Sequence, residues 1–261
     1  MGNYYGTDIR YGTSAVDRCL EILPYWEEEI TPAELYNKVL RESPRTDMTS
    51  RTQYHFIREL FKHRFMEPEV VAWTRILAAN STGFSRRIVE QIIFLLAARA
   101  DAMVRDFFTM EYWPRVREGY TVIDSTTTKN FIEASANAGR GGTVWTDSRK
   151  KRLATGLMGI CTGFGFIAKT GKPRYRVLPP LMEPAVAALL AYDLHEQGLS
   201  PNAVVGHVDW KLFGLSAAEV VDMLRSSRFT SLFLVQSSGD LVDISWKCAS
   251  MAEVSKKYVC R

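Results

Sequence analysis

The sequence predicts a mainly α-helical protein with small β-hairpins. A helical N-terminal domain with helix-turn-helix character (residues 1–118) precedes a winged-helix-like C-terminal domain with a terminal helix and hairpin (residues 119–261). Apolar residues recur at spacings of three and four over most of the chain, which is the period of an amphipathic helix. Two pairs of β-branched and aromatic runs each flank a glycine-containing turn, which is the pattern of a hairpin.

The N-terminal part is predicted to be a series of helices. Thr31 and Pro32 suit an N-cap and a first helical position, and they open the helix ITPAELYNKVLRE. The polar stretch SPRTDMTS separates it from a second helix, SRTQYHFIRELFKHRF. The remaining predictions here are a helix at 69–80, one long central helix at 86–108, and breaks at Trp113-Pro114 and 117–119. We place the domain boundary at the last of these breaks.

The C-terminal part alternates helices with hairpins. The segment DSTTTKNFIEASANAG predicts a helix capped by Ser or Thr and ended by Gly139, and the next helix covers 145–164. A hairpin around the turn KTGKP follows, so the order is helix, turn, helix, hairpin, as in a winged helix. The later predictions are helices from Pro184 and Pro201, a capping box at Ser216 and Glu219, a hairpin TSLFLVQ–SSGD–LVDISW, and a short basic helix.

Positive charge is concentrated in one segment. The whole chain carries a net charge of only +4. Nine Lys or Arg face a single acid, Asp147, between Arg140 and Arg176. Such a local excess is typical of a face that binds a polyanion.

On a helical wheel of residues 145–164, polar side chains lie opposite the apolar ones. The polar side carries Ser148, Lys151, Arg152 and Thr155, which we predict to enter the major groove of double-stranded DNA. Arg149 and Lys150 fall nearer the apolar flanks and are predicted to contact phosphates. The predicted hairpin adds Lys169, Lys172, Arg174 and Arg176 as contacts with phosphates or the minor groove. A solvated helix face is the alternative interpretation of the basic run.

A second basic stripe lies in the N-terminal part. Its residues, Arg51, His55, Arg58 and Lys62, are spaced four, three and four along SRTQYHFIRELFKHRF. A possible second DNA-binding helix is one interpretation, and a solvated face or a contact with a partner protein is the other.

The sequence contains no pattern typical of an active site. Nucleotide-binding, zinc-protease and serine-hydrolase motifs are absent, and the four cysteines are too far apart to pair as metal ligands. Asp240, Asp243 and Lys247 suggest a nuclease, but their predicted hairpin favours a solvated turn. We therefore predict no enzymatic activity, metal, cofactor or small-molecule substrate. The most apolar run, IIFLLAA, is too short to span a bilayer, so we expect a soluble, cytoplasmic protein with no membrane contact.

Three segments carry a family resemblance that covers most of the chain. They are ILPYWEEEITPAELYNKVLRESP, VWTDSRKKRLATGLMGICTGFGFI and HVDWKLFGLSAAEVVDMLRSSRF, and in this order they resemble the BrxA family of BREX (bacteriophage exclusion) defence systems. The resemblance implies a mostly helical, cytosolic protein that binds double-stranded DNA beside a methyltransferase and ATPases of the same locus. An adaptor that binds other proteins of the defence locus without reading DNA is the alternative, and RNA binding is a third possibility.

Overall fold

The computed structural model describes Tyr5 and residues 15–42, 49–80, 82–171 and 175–258. The α-helices are α1 (Ala15–Ile22), α2 (Pro32–Glu42), α3 (Ser50–His55), α4 (Val71–Asn80), α5 (Arg86–Ala100), α6 (Ala102–Phe107), α7 (Trp113–Arg117), α8 (Ser125–Asn137), α9 (Asp147–Gly163), α10 (Pro184–Glu196), α11 (Pro201–Val205), α12 (Val208–Lys211), α13 (Ala217–Leu224) and α14 (Met251–Lys256). Two π-helical segments, Phe56–Met66 and Phe108–Tyr112, extend α3 and α6, and 3-10 turns cover Leu23–Tyr25 and Ser227–Phe229. The prediction of a mainly helical protein is confirmed.

Two antiparallel hairpins are the only sheets in the part of the chain that the structure describes. Strand β1 (Ile167–Lys169) pairs with β2 (Tyr175–Val177), and β3 (Phe233–Ser238) pairs with β4 (Leu241–Trp246). A bridge between Val122 and Arg176 adds one more residue pair beside β2. Both hairpins lie where the sequence predicts them.

Local capping explains why several predicted helices begin where they do. At α2, the Thr31 amide donates to Glu34 Oε2 at 2.9 Å and the Glu34 amide donates back to Thr31 Oγ1 at 3.3 Å. Ser216 and Glu219 form the same reciprocal pair before α13, as predicted. Each pair satisfies amides that the first helical turn leaves without a partner.

The single central helix predicted at 86–108 is wrong. Asp101 adopts an extended conformation (φ −126°, ψ 106°) and divides the segment into α5 and α6. Its carboxylate accepts from the amides of Met103 and Val104 at 2.9 and 3.4 Å, so it acts as an N-cap inside the apolar run. The amphipathic period continues across the break, which is why the period alone did not indicate it.

Two further predictions require correction. The Trp113-Pro114 pair does not end the helical segment, because the π-helical turn before Trp113 leads directly into α7, which contains Pro114. The cap of α8 is Asp124 rather than Ser or Thr, since its carboxylate accepts from the Thr126 amide at 2.9 Å. Gly139, just after α8, has a φ of 70°, as expected for the residue that ends a helix.

The apolar core runs across residue 118. The Tyr112 hydroxyl donates to the Phe166 carbonyl, and the Trp113 indole donates to the Leu212 carbonyl, both at 2.8 Å. The rings of Phe94 and Phe166 also meet, with centroids 4.7 Å apart. The two predicted domains therefore pack extensively, and their division at residue 118 stays a prediction. None of the helices in the described ranges has both the length and the apolar character that crossing a membrane requires.

Candidate nucleic-acid interface

The start of α9 is fixed by a buried tryptophan and a threonine cap. Trp145 is buried and stacks on the ring of Tyr5 at 6.5 Å. A Cβ on Gly141 would lie only 2.4 Å from the Trp145 Nε1 atom, so this close approach requires glycine. Thr146 then accepts from the Arg149 amide at 3.3 Å as the N-cap. These contacts set the position from which the basic residues of α9 project.

The two sides of α9 agree with the helical wheel. The exposed side carries Ser148, Lys151, Arg152 and Thr155. The opposite side is buried in the core through Leu153, Leu157, Ile160 and Cys161. The Thr155 hydroxyl donates to the Lys151 carbonyl at 2.9 Å. The hydroxyl proton is therefore engaged, whereas the hydroxyl oxygen can still accept a hydrogen bond. The predicted base-facing set therefore lies on one exposed side of one helix.

Arg149 and Lys150 differ from this exposed set. Lys150 Nζ lies 2.8 Å from a carboxylate oxygen of Glu133 on α8, and this hydrogen bond raises the pKa of the lysine above its ordinary value. Lys150 Nζ also lies 3.4 Å from Asp147 Oδ1. Arg149 is half-buried, and its Nε has no hydrogen-bond partner among the residues that the structure describes. Lys150 is therefore partly neutralised before any anion arrives.

Carboxylates from outside the basic segment offset part of its charge. Arg140 Nη1 lies 2.7 Å from Asp106 Oδ2 and donates to the Tyr5 hydroxyl at 2.6 Å. Lys150 is held by Glu133 in the same way. In contrast, Lys151 and Arg152 have no carboxylate at ion-pair distance within the described ranges. The count of charges along the sequence therefore overstates the field at this face.

The hairpin residues divide between its two faces. Lys169 and Arg176 are exposed, whereas Lys172 and Arg174 lie outside the described residues. Lys169 is paired with Tyr175, while Arg176 is paired with Ala168 and bridged to Val122. Because neighbouring residues of a strand point to opposite faces, Arg176 lies on the opposite face from Lys169. The structure therefore does not bring these two predicted contacts together.

A cavity of about 590 Å³ joins Lys169 to the exposed side of α9. Its lining includes Lys129, Ala154, Thr155, Met158, Lys169 and Tyr175. Thr155 and Lys169, predicted separately from α9 and from the hairpin, thus share one concave surface. Lys129 on α8 was not predicted, because a single lysine in STTTKNF gives no pattern until the fold places α8 beside the hairpin.

The N-terminal stripe is exposed but has a different environment. All four of its residues, Arg51, His55, Arg58 and Lys62, are exposed. Arg58 donates to the Tyr54 hydroxyl, and its Nε lies 4.0 Å from Glu59 Oε1. Helix α3 also widens into a π-helix after His55, which the sequence did not indicate. Its role as a second DNA contact stays a prediction.

A buried charge cluster was also missed from the sequence. Arg99 of α5 lies 2.6 Å from Asp193 of α10, and its Nε donates to Asp209 of α12 at 2.8 Å. Burial acts to raise the pKa of Asp209, but His207 and Arg99 outweigh it and hold the pKa below its ordinary value. The cluster connects helices that are far apart in the sequence. Its three residues also line a cavity of about 800 Å³.

Comparisons with known proteins give one family and one fold. The BrxA family model matches residues 5–193. A crystal structure of an uncharacterized protein from Magnetospirillum magneticum is similar in fold, with a TM-score of 0.58, 18% sequence identity, and coverage of 80% of this chain and 97% of that chain. A search of curated proteins finds no match. Since the family model spans more than half of the sequence, the chain belongs to the BrxA family, which makes it a protein of the BREX phage-defence systems.

Proposed function

We propose that this protein is a non-enzymatic, double-stranded DNA-binding component of a BREX system that acts in the cytoplasm. One observation carries the proposal: exposed Lys151 and Arg152 have no carboxylate partner in the described part of the chain, and the same side of α9 continues into a cavity shared with Lys169. Cations left without partners on an exposed helix face are suited to phosphates and guanine edges.

The order of elements supports a winged-helix mode of binding. Val122 is bridged to Arg176 of β2. Helices α8 and α9 follow Val122 in the chain, and the β1–β2 hairpin comes after them. In that mode α9 enters the major groove and Lys169 holds the flanking backbone. Because Lys150 is engaged by Glu133 and the Thr155 proton by the backbone, we expect the contacts of α9 to come mainly from Lys151 and Arg152, and mostly to be made with phosphates.

A fluorescence-anisotropy titration of a labelled duplex at two salt concentrations tests the proposal. With about four neutralised phosphates, log affinity should fall with log salt at a slope of about −3.6. Binding that is absent at micromolar protein, or insensitive to salt, removes the proposal. An RNA hairpin and a single-stranded DNA of equal length serve as competitors, and stronger binding to either contradicts the choice of double-stranded DNA.

A second candidate function, an adaptor for other proteins of the defence locus, is favoured by a different surface. Val122 and Leu178 are 40% and 46% exposed, and both lie on the hairpin side that carries Arg176, because Val122 is bridged to Arg176 and Leu178 follows Arg176 by two residues. Exposed apolar side chains in one patch are typical of protein interaction sites. Leu178→Asp should abolish co-purification with locus proteins if the adaptor function is correct, while duplex binding remains. Unchanged co-purification contradicts it.

A further inference from the structure

The cavity between α8, α9 and the β1–β2 hairpin has the composition of a ligand site. Its volume of about 590 Å³ lies within the range of small-molecule pockets. Ala154 and Met158 are buried and form an apolar floor beside the half-buried ring of Tyr175. Lys129 and Lys169 are exposed at its rim, and neither has an ion-pair partner among the described residues. Among the described residues that line it, none is acidic.

We propose that this cavity binds an amphipathic anion, that is, a small planar or apolar body that carries a phosphate, sulfonate or carboxylate group. The apolar body displaces water from Met158, Ala154 and Tyr175, and each buried apolar surface favours binding in proportion to its area. The anionic group meets the ammonium groups of Lys129 and Lys169, for which no carboxylate of the described ranges competes. A neutral apolar ligand leaves this lysine pair unused, and a cationic one is repelled by it.

Occupation of the cavity has a consequence for DNA. Thr155 and Lys169 line the cavity and also belong to the set proposed to contact DNA. A bound anion and a DNA phosphate therefore compete for Lys169. This consequence rests on the proposed function, whereas the anion site itself does not.

The test compares two fluorescent probes with the same aromatic body. The anion 1-anilinonaphthalene-8-sulfonate carries a sulfonate, and N-phenyl-1-naphthylamine lacks it. The full chain should bind the anion about tenfold more tightly than the neutral probe, as expected for one added charge-assisted contact. The double variant Lys129→Gln/Lys169→Gln should remove this tenfold difference. Lys211→Gln, which changes an exposed lysine outside the cavity, should preserve it.

A second variant tests whether the probes bind in this cavity. Ala154→Leu adds side-chain volume to the cavity floor and should weaken both probes about tenfold, with the far-ultraviolet circular dichroism spectrum unchanged. Equal affinity of the native protein for the two probes, or a probe preference that survives the double variant Lys129→Gln/Lys169→Gln, overturns the proposal. If Ala154→Leu disturbs the fold, Thr155→Glu replaces it, because Thr155 is exposed and lines the cavity, where a carboxylate should repel the anionic probe and leave the neutral one less affected.

Competition is measured separately, with labelled duplex and saturating anionic probe. Loss of duplex binding supports a shared Lys169. If the duplex stays bound when the probe saturates the cavity, the proposed competition for Lys169 is wrong. If no duplex binds in the absence of probe, the proposed function fails, and the result of the two-probe comparison still decides whether the anion site exists.

Discussion

Arg99 on α5 and the pair Lys151–Arg152 on α9 are all positively charged, but their surroundings are opposite. Arg99 is only 16% exposed and lies between two carboxylates, from α10 and α12. Lys151 and Arg152 are exposed on α9, and none of the described carboxylates reaches them. The acids that neutralise Arg99 come from about a hundred residues away in the sequence. Whether a basic residue holds the fold or remains for a partner is therefore decided by distant acids rather than by its neighbours in the chain.

The largest effect is expected at Arg99. Arg99→Met should lower the free energy of unfolding by about 3–5 kcal/mol, because it removes the guanidinium between the buried Asp193 and Asp209 and leaves only His207 beside Asp209. Urea denaturation measures the change. The matched variant Arg152→Met, on an exposed side chain, should change the free energy of unfolding by less than about 0.5 kcal/mol. Equal losses in the two variants contradict the comparison.

The pH dependence of this loss sharpens the same prediction. Asp209 has a lowered pKa in the folded protein, so its contribution to stability is present above its unfolded pKa of about 3.9 and is lost as pH falls through the folded value. In Arg99→Met the Asp209 carboxylate loses a positive charge that favours its ionised form, so protonation of Asp209 makes the variant less unstable. The difference in unfolding free energy between the native protein and the variant should therefore shrink from pH 7 towards pH 4. A constant difference over this range contradicts the role given to Arg99.

The opposite behaviour is expected on α9. The double charge reversal K151E/R152E should weaken duplex binding about 100-fold, since two phosphate contacts worth about 1.4 kcal/mol each are lost, and should leave the unfolding free energy nearly unchanged. The control R58E/K62E makes the same change on the N-terminal stripe and should weaken binding less than about threefold. If the control has the larger effect, the main DNA contact lies on α3 and its π-helical extension.

The helices and hairpins that were predicted correctly are those with local causes. The pairs Thr31–Glu34 and Ser216–Glu219 fix helix starts within four residues, and the runs that became β3 and β4 alternate around a turn. The break at Asp101 was missed because its cause is not visible in the apolar period. Only the actual extended backbone at Asp101 makes its carboxylate a cap.

Only those features of the candidate site that depend on a single helix were predicted. The wheel separated the exposed Lys151 from the flanking Lys150 correctly, because helix geometry is local. The pairing of Lys150 with Glu133, and the place of Lys129 beside Lys169, depend on how α8 packs on α9 and on the hairpin. These are contacts between elements, and no spacing within one element encodes them.

A smaller effect should separate the two faces of the hairpin. Lys169→Gln should weaken duplex binding about fivefold, because Lys169 lies on the side of the hairpin that meets α9. Arg176→Gln removes an equal charge from the opposite side and should weaken it less than about twofold. Both variants are measured in one anisotropy series at constant salt. Equal losses contradict the assignment of the α9-facing side as the DNA contact.

The smallest expected effect is a gain of affinity at Glu133. Glu133→Gln removes the carboxylate that holds Lys150 Nζ at 2.8 Å and leaves a neutral side chain of similar shape. The released ammonium lies on the flank of α9, where one additional phosphate contact should strengthen duplex binding about threefold and make the salt slope steeper by about 0.9. Glu253→Gln, which makes the same change on α14, should alter neither quantity. An unchanged slope in Glu133→Gln means that Lys150 does not face DNA, and the interface then lies wholly on the exposed side formed by Ser148, Lys151, Arg152 and Thr155.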